Sequence, residues 1–150
     1  MAEIQPFRGV HYNESLIKDW SKVICPPYDI ISPQDQQELH LVSEYNYIRI
    51  ESGRELPQDT ATDNKYTRSS ALFHRWIEEG VMRTDDAPSL YLHDHHFSRR
   101  RKQYTRRNLI SRVRLEEWST MVIRPHEGTL TEARGDRLSL LFAMQANTSP

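Results

Sequence analysis

The sequence predicts an α+β fold, with a mixed or antiparallel sheet, a β-hairpin and about three helices. Three observations carry that reading. Tyr66, Leu72, Phe73, Trp76 and Ile77 recur at helical spacing between about Asp63 and Glu79, and Gly80 stands where a C-terminal cap belongs. Leu90 to Phe97 and residues 103–117 are two runs rich in β-formers, separated by the polar, basic stretch Ser98 to Lys102, as a hairpin requires. Helical and extended segments alternate without a βαβ period, which argues against a doubly wound parallel sheet.

Taken in order, Ile4 to Tyr12 reads as extended chain interrupted by Pro6 and Gly9, and Asn13 to Trp20 as a turn of helix. Val23-Ile24-Cys25 is a brief β-type run stopped by Pro26-Pro27. Two successive prolines fix φ and remove two donors, so Pro26-Pro27-Tyr28-Asp29 is a stiff loop able to hold side chains in place. Ser32-Pro33-Gln34-Asp35 is a helix start: a capping hydroxyl, proline at the first helical position and a carboxylate near the positive helix end. That helix is expected to reach about Val42. Tyr45 to Glu51 alternates and is read as a strand, with Ile48 and Ile50 inward and Arg49 and Glu51 toward solvent or a cleft. Ser52 to Thr62 is loop. Thr120 to Ile123 is a short further strand, and about Thr131 to Ala146 a last helix with Leu138, Leu141 and Phe142 on its apolar face.

At 150 residues the chain is expected to be a single domain with one core. Its close, Asn147-Thr148-Ser149-Pro150, reads as a turn-like exit, so residues 1–150 are taken as the amino-terminal part of a longer protein. A net charge of −1 argues against a dedicated nucleic-acid binder. The single cysteine, Cys25, precludes an internal disulfide framework and fits a reducing compartment, where it reads first as a small buried hydrophobe. Without a signal peptide or an apolar run long enough to span a bilayer, the expected location is the cytoplasm and no membrane partner is expected.

Chemistry concentrates in one stretch. Arg124-Pro125-His126-Glu127-Gly128-Thr129, followed by Asp136 and Arg137, gathers an imidazole, carboxylates, a hydroxyl and guanidinium groups between an expected strand and an expected helix. Glu127 is the candidate general base, His126 the group that orients a substrate, and Arg137 the cation for an anion; Thr129, Asp136 and Arg49 complete the candidate substrate site. The competing reading is that these residues cap the last helix and pair with one another. His126-Glu127 resembles the opening of a zinc-protease motif, but Leu130 stands where the second histidine belongs, so that motif fails. His93-Asp94-His95-His96 places two imidazoles on one strand face without an identifiable third ligand, and no metal site is assigned. Arg99-Arg100-Arg101-Lys102, with Arg106, Arg107, Arg112 and Arg114, is the strongest local charge; it reads first as a solvated hairpin tip and second as a phosphate-contacting surface. No phosphate-cradling glycine loop and no nucleophile elbow is present.

These motifs carry a family resemblance. Pro6-Phe7-Arg8-Gly9, the run from Val23 to Pro33, Tyr45 to Arg49, Trp76 to Val81, Ala87 to Tyr91, Ile110 to Glu116, Pro125 to Leu130, Asp136-Arg137-Leu138 and Ala146 to Pro150 resemble, in order, the amino-terminal part of the domain of unknown function 1015 family. Members are usually longer and carry a later Asp-Gly-His-His-Arg segment, similar to one in ParB-type nucleotide-binding proteins and free-serine kinases, which this chain lacks. Asn108 also departs from the glycine that relatives commonly have there. The resemblance implies a phosphoryl-transfer or nucleotide-handling enzyme acting on a small anionic substrate, kinase-like, with Glu127 and His126 as half of its site. The alternative is a non-catalytic, ParB-like regulator that binds nucleotide or nucleic acid. The residues fix no cofactor; a nucleotide with Mg is the one the resemblance allows. Substrate and oligomeric state stay open at this point.

Overall fold

The computed structural model describes residues 1–124 and 131–148. The fold is α+β, and its contacts gather into two compact units, Met1–Val10 with Thr84–Gly128, and His11–Arg83 with Thr129–Pro150. The described strands form three two-stranded ladders rather than one broad sheet.

The first unit is built from β1 (Ile4–Gln5), β4 (Tyr91–Arg99), β5 (Lys102–Ile110) and β6 (Arg112–Val113). Strand β1 pairs antiparallel with β6, Ile4 opposite Val113. The expected hairpin is present: β4 and β5 pair antiparallel over nine positions, from Tyr91 opposite Ile110 to Arg99 opposite Lys102. Its two-residue turn is Arg100-Arg101, both at positive φ, 50° and 64°. The start of the chain is fastened to the hairpin base through Tyr91, whose hydroxyl accepts from Gly9 N at 2.6 Å and donates to Asp85. A Cβ on Gly9 would lie 2.7 Å from that hydroxyl, so only glycine fits.

The second unit is helical. It holds α1 (Pro33–Val42), α2 (Ile48–Glu51), α3 (Lys65–Glu78) and α4 (Thr131–Met144), with β2 (Val10–Tyr12) pairing β3 (Met82–Thr84). Helix α1 starts as the sequence predicts: Ser32 accepts from Asp35 N and the Asp35 carboxylate accepts from Ser32 N, a complete capping box. Helix α3 is capped by Asn64, whose side chain accepts from Tyr66 N and Thr67 N. Gly80 ends it at φ +74°, in the left-handed region that favours glycine. The core is Tyr12, Ile17, Val23, Ile50, Phe73, Trp76, Val81, Met82, Leu140 and Met144.

Three expected elements are corrected. Tyr45 to Glu51 is not a strand. Asn46 is fully buried, its amide donates to the carbonyls of Lys22 and Ile24, and its oxygen accepts from Ile48 N. That side chain starts a helical turn, continued by Glu51 N to Tyr47 O at 2.9 Å and Ser52 N to Ile48 O at 2.9 Å. Alternation suggested a strand only because Ile48 and Ile50 are both buried on a four-residue helix. Thr120 to Ile123 is likewise not a strand: a 3₁₀ turn runs Trp118–Thr120, ended by Met121 in the left-handed region. In α4 the inward stripe is Asp136, Leu140 and Met144, while Leu138 and Phe142 are exposed. A buried carboxylate with cationic partners replaces an apolar residue on that face, and hydrophobicity alone misplaces the stripe.

Candidate functional site

In the helical unit, Asp136 and Arg137 lie side by side at the inner face of α4 and organise an ion network. Asp136 is 8% exposed, and its Oδ1 accepts from Lys65 Nζ and from the Tyr66 hydroxyl, each at 2.9 Å. Its Oδ2 accepts from Arg137 Nε at 3.1 Å. Arg137 turns the rest of its fork to Glu51: Nη1 lies 2.9 Å from the buried carboxylate and Nη2 donates to the Glu51 carbonyl at 2.8 Å. Its guanidinium carbon stands 3.8 Å from the centroid of the Tyr28 ring, a cation–π contact.

Each part is positioned by local sequence. Pro26-Pro27 delivers Tyr28 into a 3₁₀ turn over Tyr28–Ile30, with Pro27 extended at φ −54°, ψ 146°. Lys65 and Tyr66 are the first two residues of α3, fixed by the Asn64 cap. Glu51 ends α2, and Gly53 lets the next turn approach α3, since a Cβ there would meet Ser69 Oγ at 2.9 Å.

The electrostatics follow. Burial works to raise the Asp136 carboxyl, but hydrogen bonds from Lys65, Arg137 and Tyr66 outweigh it and hold the group below its ordinary value. Burial disfavours the Lys65 ammonium, yet Glu55 and Asp136 raise it well above the usual lysine range. Cys25 nearby is pushed up to about 12, chiefly by burial and then by the Glu51 carboxylate, with Arg137 acting in the opposite sense. It is thus a poor nucleophile near neutrality.

Two spaces adjoin the network. The inner one, bounded by Tyr28, Glu51, Tyr66, Asp136 and Arg137, has a volume of only about 10 Å³, too little for a ligand. The outer one is an open cleft of about 1070 Å³ lined by Tyr28, Asp29, Gln36, Arg54, Glu55, Lys65 and the first turn of α4 at Thr131 and Ala133. Lys65 belongs to both. Its second carboxylate, Glu55 at 2.9 Å, is 75% exposed, whereas Asp136 is buried.

Of the sequence-predicted site residues, the structure brings Asp136 and Arg137 together and engages them with each other. Arg49 does not join them: its guanidinium donates to the carbonyls of His40 at 2.6 Å and Ser43 at 3.3 Å, closing the end of α1. It was assigned to the site on the strand geometry that α2 replaces. Glu127, His126 and Thr129 lie outside the described residues. Sequence reasoning missed Glu51, Lys65 and Tyr66 as a group; the stiffness of the Pro26-Pro27-Tyr28 loop was the one signal pointing there. On the hairpin, His93 and His95 share a face and Asp94 is held by Arg107 Nε and Nη2 at 2.8 and 2.7 Å. Among the described residues no three His, Cys, Asp or Glu side chains are grouped to hold a metal ion.

With this geometry in place, the family can be stated. The chain matches, over residues 4–150, the family described as "Protein of unknown function (DUF1015)", and it belongs to that family. Comparisons with curated proteins and with solved structures gave no match. No described helix is long and apolar enough to cross a membrane.

Proposed function

We propose that the protein handles a small anionic substrate by phosphoryl transfer or nucleotide chemistry, bound in the outer cleft of the helical unit with Lys65 as its anchoring cation. The observation that carries this reading is the asymmetry at Lys65. Its ammonium lies 2.9 Å from each of two carboxylates, the buried one of Asp136 and the 75% exposed one of Glu55. Exposed ion pairs contribute little, about 0–1 kcal/mol, so a ligand phosphate displaces Glu55 at small cost while Asp136 keeps the ammonium in place. Arg54 and the first turn of α4 line the same cleft and supply further positive potential.

In this reading Arg137 is a positioning residue: clamped by Asp136, Glu51 and Tyr28, it holds the wall from which Lys65 reaches out. A nucleotide would bring Mg²⁺ on its own phosphates.

Isothermal titration with ATP, ADP and inorganic phosphate, with and without Mg²⁺, tests the reading. Binding is expected for at least one of these, lost in Lys65→Met and strengthened severalfold in Glu55→Gln, which removes the competing carboxylate. Absence of binding, or affinity indifferent to Lys65→Met, overturns it.

A further inference from the structure

The hairpin of the first unit carries a second, separate surface. Because residues opposite each other in a ladder share a face, the β4–β5 register sorts its side chains into two sets. One face presents His93, His95, Phe97 and Tyr104 in line. Successive ring centroids are 6.3, 5.2 and 5.5 Å apart, and the Phe97 and Tyr104 rings, cross-strand partners, stack at an interplanar angle of 18°. Phe97 and Tyr104 remain 37% and 43% exposed.

Charge surrounds these rings. Between Tyr91 and Ile110 stand six cations, Arg99 to Lys102, Arg106 and Arg107, against one carboxylate, Asp94, although the whole chain has a net charge of −1. Among the described residues only Arg107 of the six has a carboxylate partner. Arg106 emerges on the aromatic face beside His95, at 3.4 Å, and Arg99 and Lys102 close its end. The turn itself holds arginine at both positive-φ positions, where Asn-Gly is favoured.

We propose that this ribbon is a binding surface for single-stranded nucleic acid, its bases stacking on the Phe97–Tyr104 face and its phosphates meeting the flanking arginines. Exposed stacked rings interleaved with cations, five of the six without a carboxylate partner among the described residues, match that ligand: every unpaired base offers a π-face, and a polyanion releases counterions on meeting such a cluster. A duplex keeps its bases stacked on each other and leaves the rings without a role. An acidic polypeptide would satisfy the cations but not the aligned rings.

Fluorescence anisotropy of the full chain with labelled oligo-dT, oligo-rU and a duplex of equal length, at two ionic strengths, tests the proposal. Both single strands are expected to bind more tightly than the duplex, and affinity is expected to fall steeply with salt. Phe97→Leu and Tyr104→Leu keep apolar bulk on the ribbon but remove a ring, and each is expected to weaken single-strand binding about fivefold or more. Gln103→Ala, on the opposite face, is expected to leave it unchanged, and circular dichroism melts confirm that the variants fold. Preference between oligo-rU and oligo-dT tells RNA from DNA as the ligand. No binding, preference for the duplex, leucine variants that bind as tightly as wild type, or displacement of the oligonucleotide by poly-glutamate as readily as by unlabelled strand each overturns the proposal.

Discussion

Lys65 sits 2.9 Å from the buried carboxylate of Asp136 and, on its other side, 2.9 Å from the exposed carboxylate of Glu55. One partner is buried and the other exposed, and the proposed anion site at the start of α3 rests on this difference. Arg137 lacks that duality, because Asp136, Glu51 and the Tyr28 ring already surround its guanidinium. The two cations of the network therefore divide the work: one secures α4 to α2, the other faces the cleft.

The first prediction concerns what Asp136 contributes. Asp136→Asn keeps the shape but leaves Lys65 and Arg137 without their shared anion. Loss of one member of a fully buried pair costs about 3–5 kcal/mol; both cations here are partly exposed, so about 2 kcal/mol is expected. Urea unfolding at neutral pH measures it, as a lower midpoint at unchanged slope.

Acid should destabilise the helical unit in two stages. His40 has both ring nitrogens buried without a hydrogen-bond partner among the described residues, and burial, with Arg54 and Arg49 nearby, pushes its imidazole from 6.5 down to about 4. The folded state then resists a proton that the unfolded chain accepts, so stability falls as pH drops from about 6.5 toward about 4. Asp136, also depressed in the folded state, lends stability that is full above the ordinary carboxylate range and is lost as pH falls through its folded value. Urea midpoints from neutral pH to pH about 3 should show both losses. His40→Leu should remove the upper one alone and Asp136→Asn the lower one. A His40→Leu profile that matches wild type would disprove the assignment.

Cys25 should be a sluggish thiol. With its value pushed up to about 12, its thiolate fraction near pH 8 is smaller than that of an ordinary cysteine by about a thousandfold. Reaction with an aromatic disulfide reagent is expected to be at least about a hundredfold slower in the folded chain than in denaturant. Glu51→Gln, which removes the second cause of the elevation, should speed it.

How much of this was legible in the sequence depends on how locally each feature is encoded. Ser32-Pro33 and Asp35 specify a helix start within four residues, Gly80 ends α3, and the β-rich runs around Ser98 to Lys102 define a hairpin; all three are present. Tyr45 to Glu51 failed because the decisive partner of Asn46 is the backbone at Lys22 and Ile24, more than twenty residues away, and alternation cannot report it. The α4 stripe failed similarly: Asp136 turns inward because Lys65 and Tyr66 meet it there. Asp136 and Arg137 were recognisable as a charged pair, but Glu51 and Lys65 join them only through tertiary packing.

The hairpin turn makes a prediction that links stability to the proposed surface. Arg100 and Arg101 both adopt positive φ, 50° and 64°, a conformation costing a residue with a side chain about 1 kcal/mol or more. Replacing the pair with Asn-Gly should relieve that strain and protect the β4–β5 amides from hydrogen exchange by about tenfold. The same change removes two cations, so single-strand binding should weaken and its salt dependence become shallower. A tighter hairpin that binds less well would tie the arginines to the ligand; a tighter hairpin with unchanged affinity would confine the contact to the flat of the ribbon.

Asn46 offers the sharpest test of the corrected segment. Its amide donates to Lys22 O at 2.9 Å and Ile24 O at 3.1 Å, and its oxygen accepts from Ile48 N at 3.0 Å. Asn46→Leu matches its bulk approximately but leaves the buried Ile48 N and the part-buried Lys22 and Ile24 carbonyls without this partner, which should cost about 2–4 kcal/mol. Asn46→Asp keeps the acceptor for Ile48 N and loses both donors, setting a carboxylate against two carbonyls in a fully buried position. At neutral pH it should therefore be at least as damaging as Asn46→Leu. On acidification the carboxyl can protonate and donate to one of the carbonyls, so the gap between Asn46→Asp and wild type should narrow. Urea midpoints of the three proteins at neutral and acidic pH measure both effects. Near-silent substitutions at both would refute this role for Asn46.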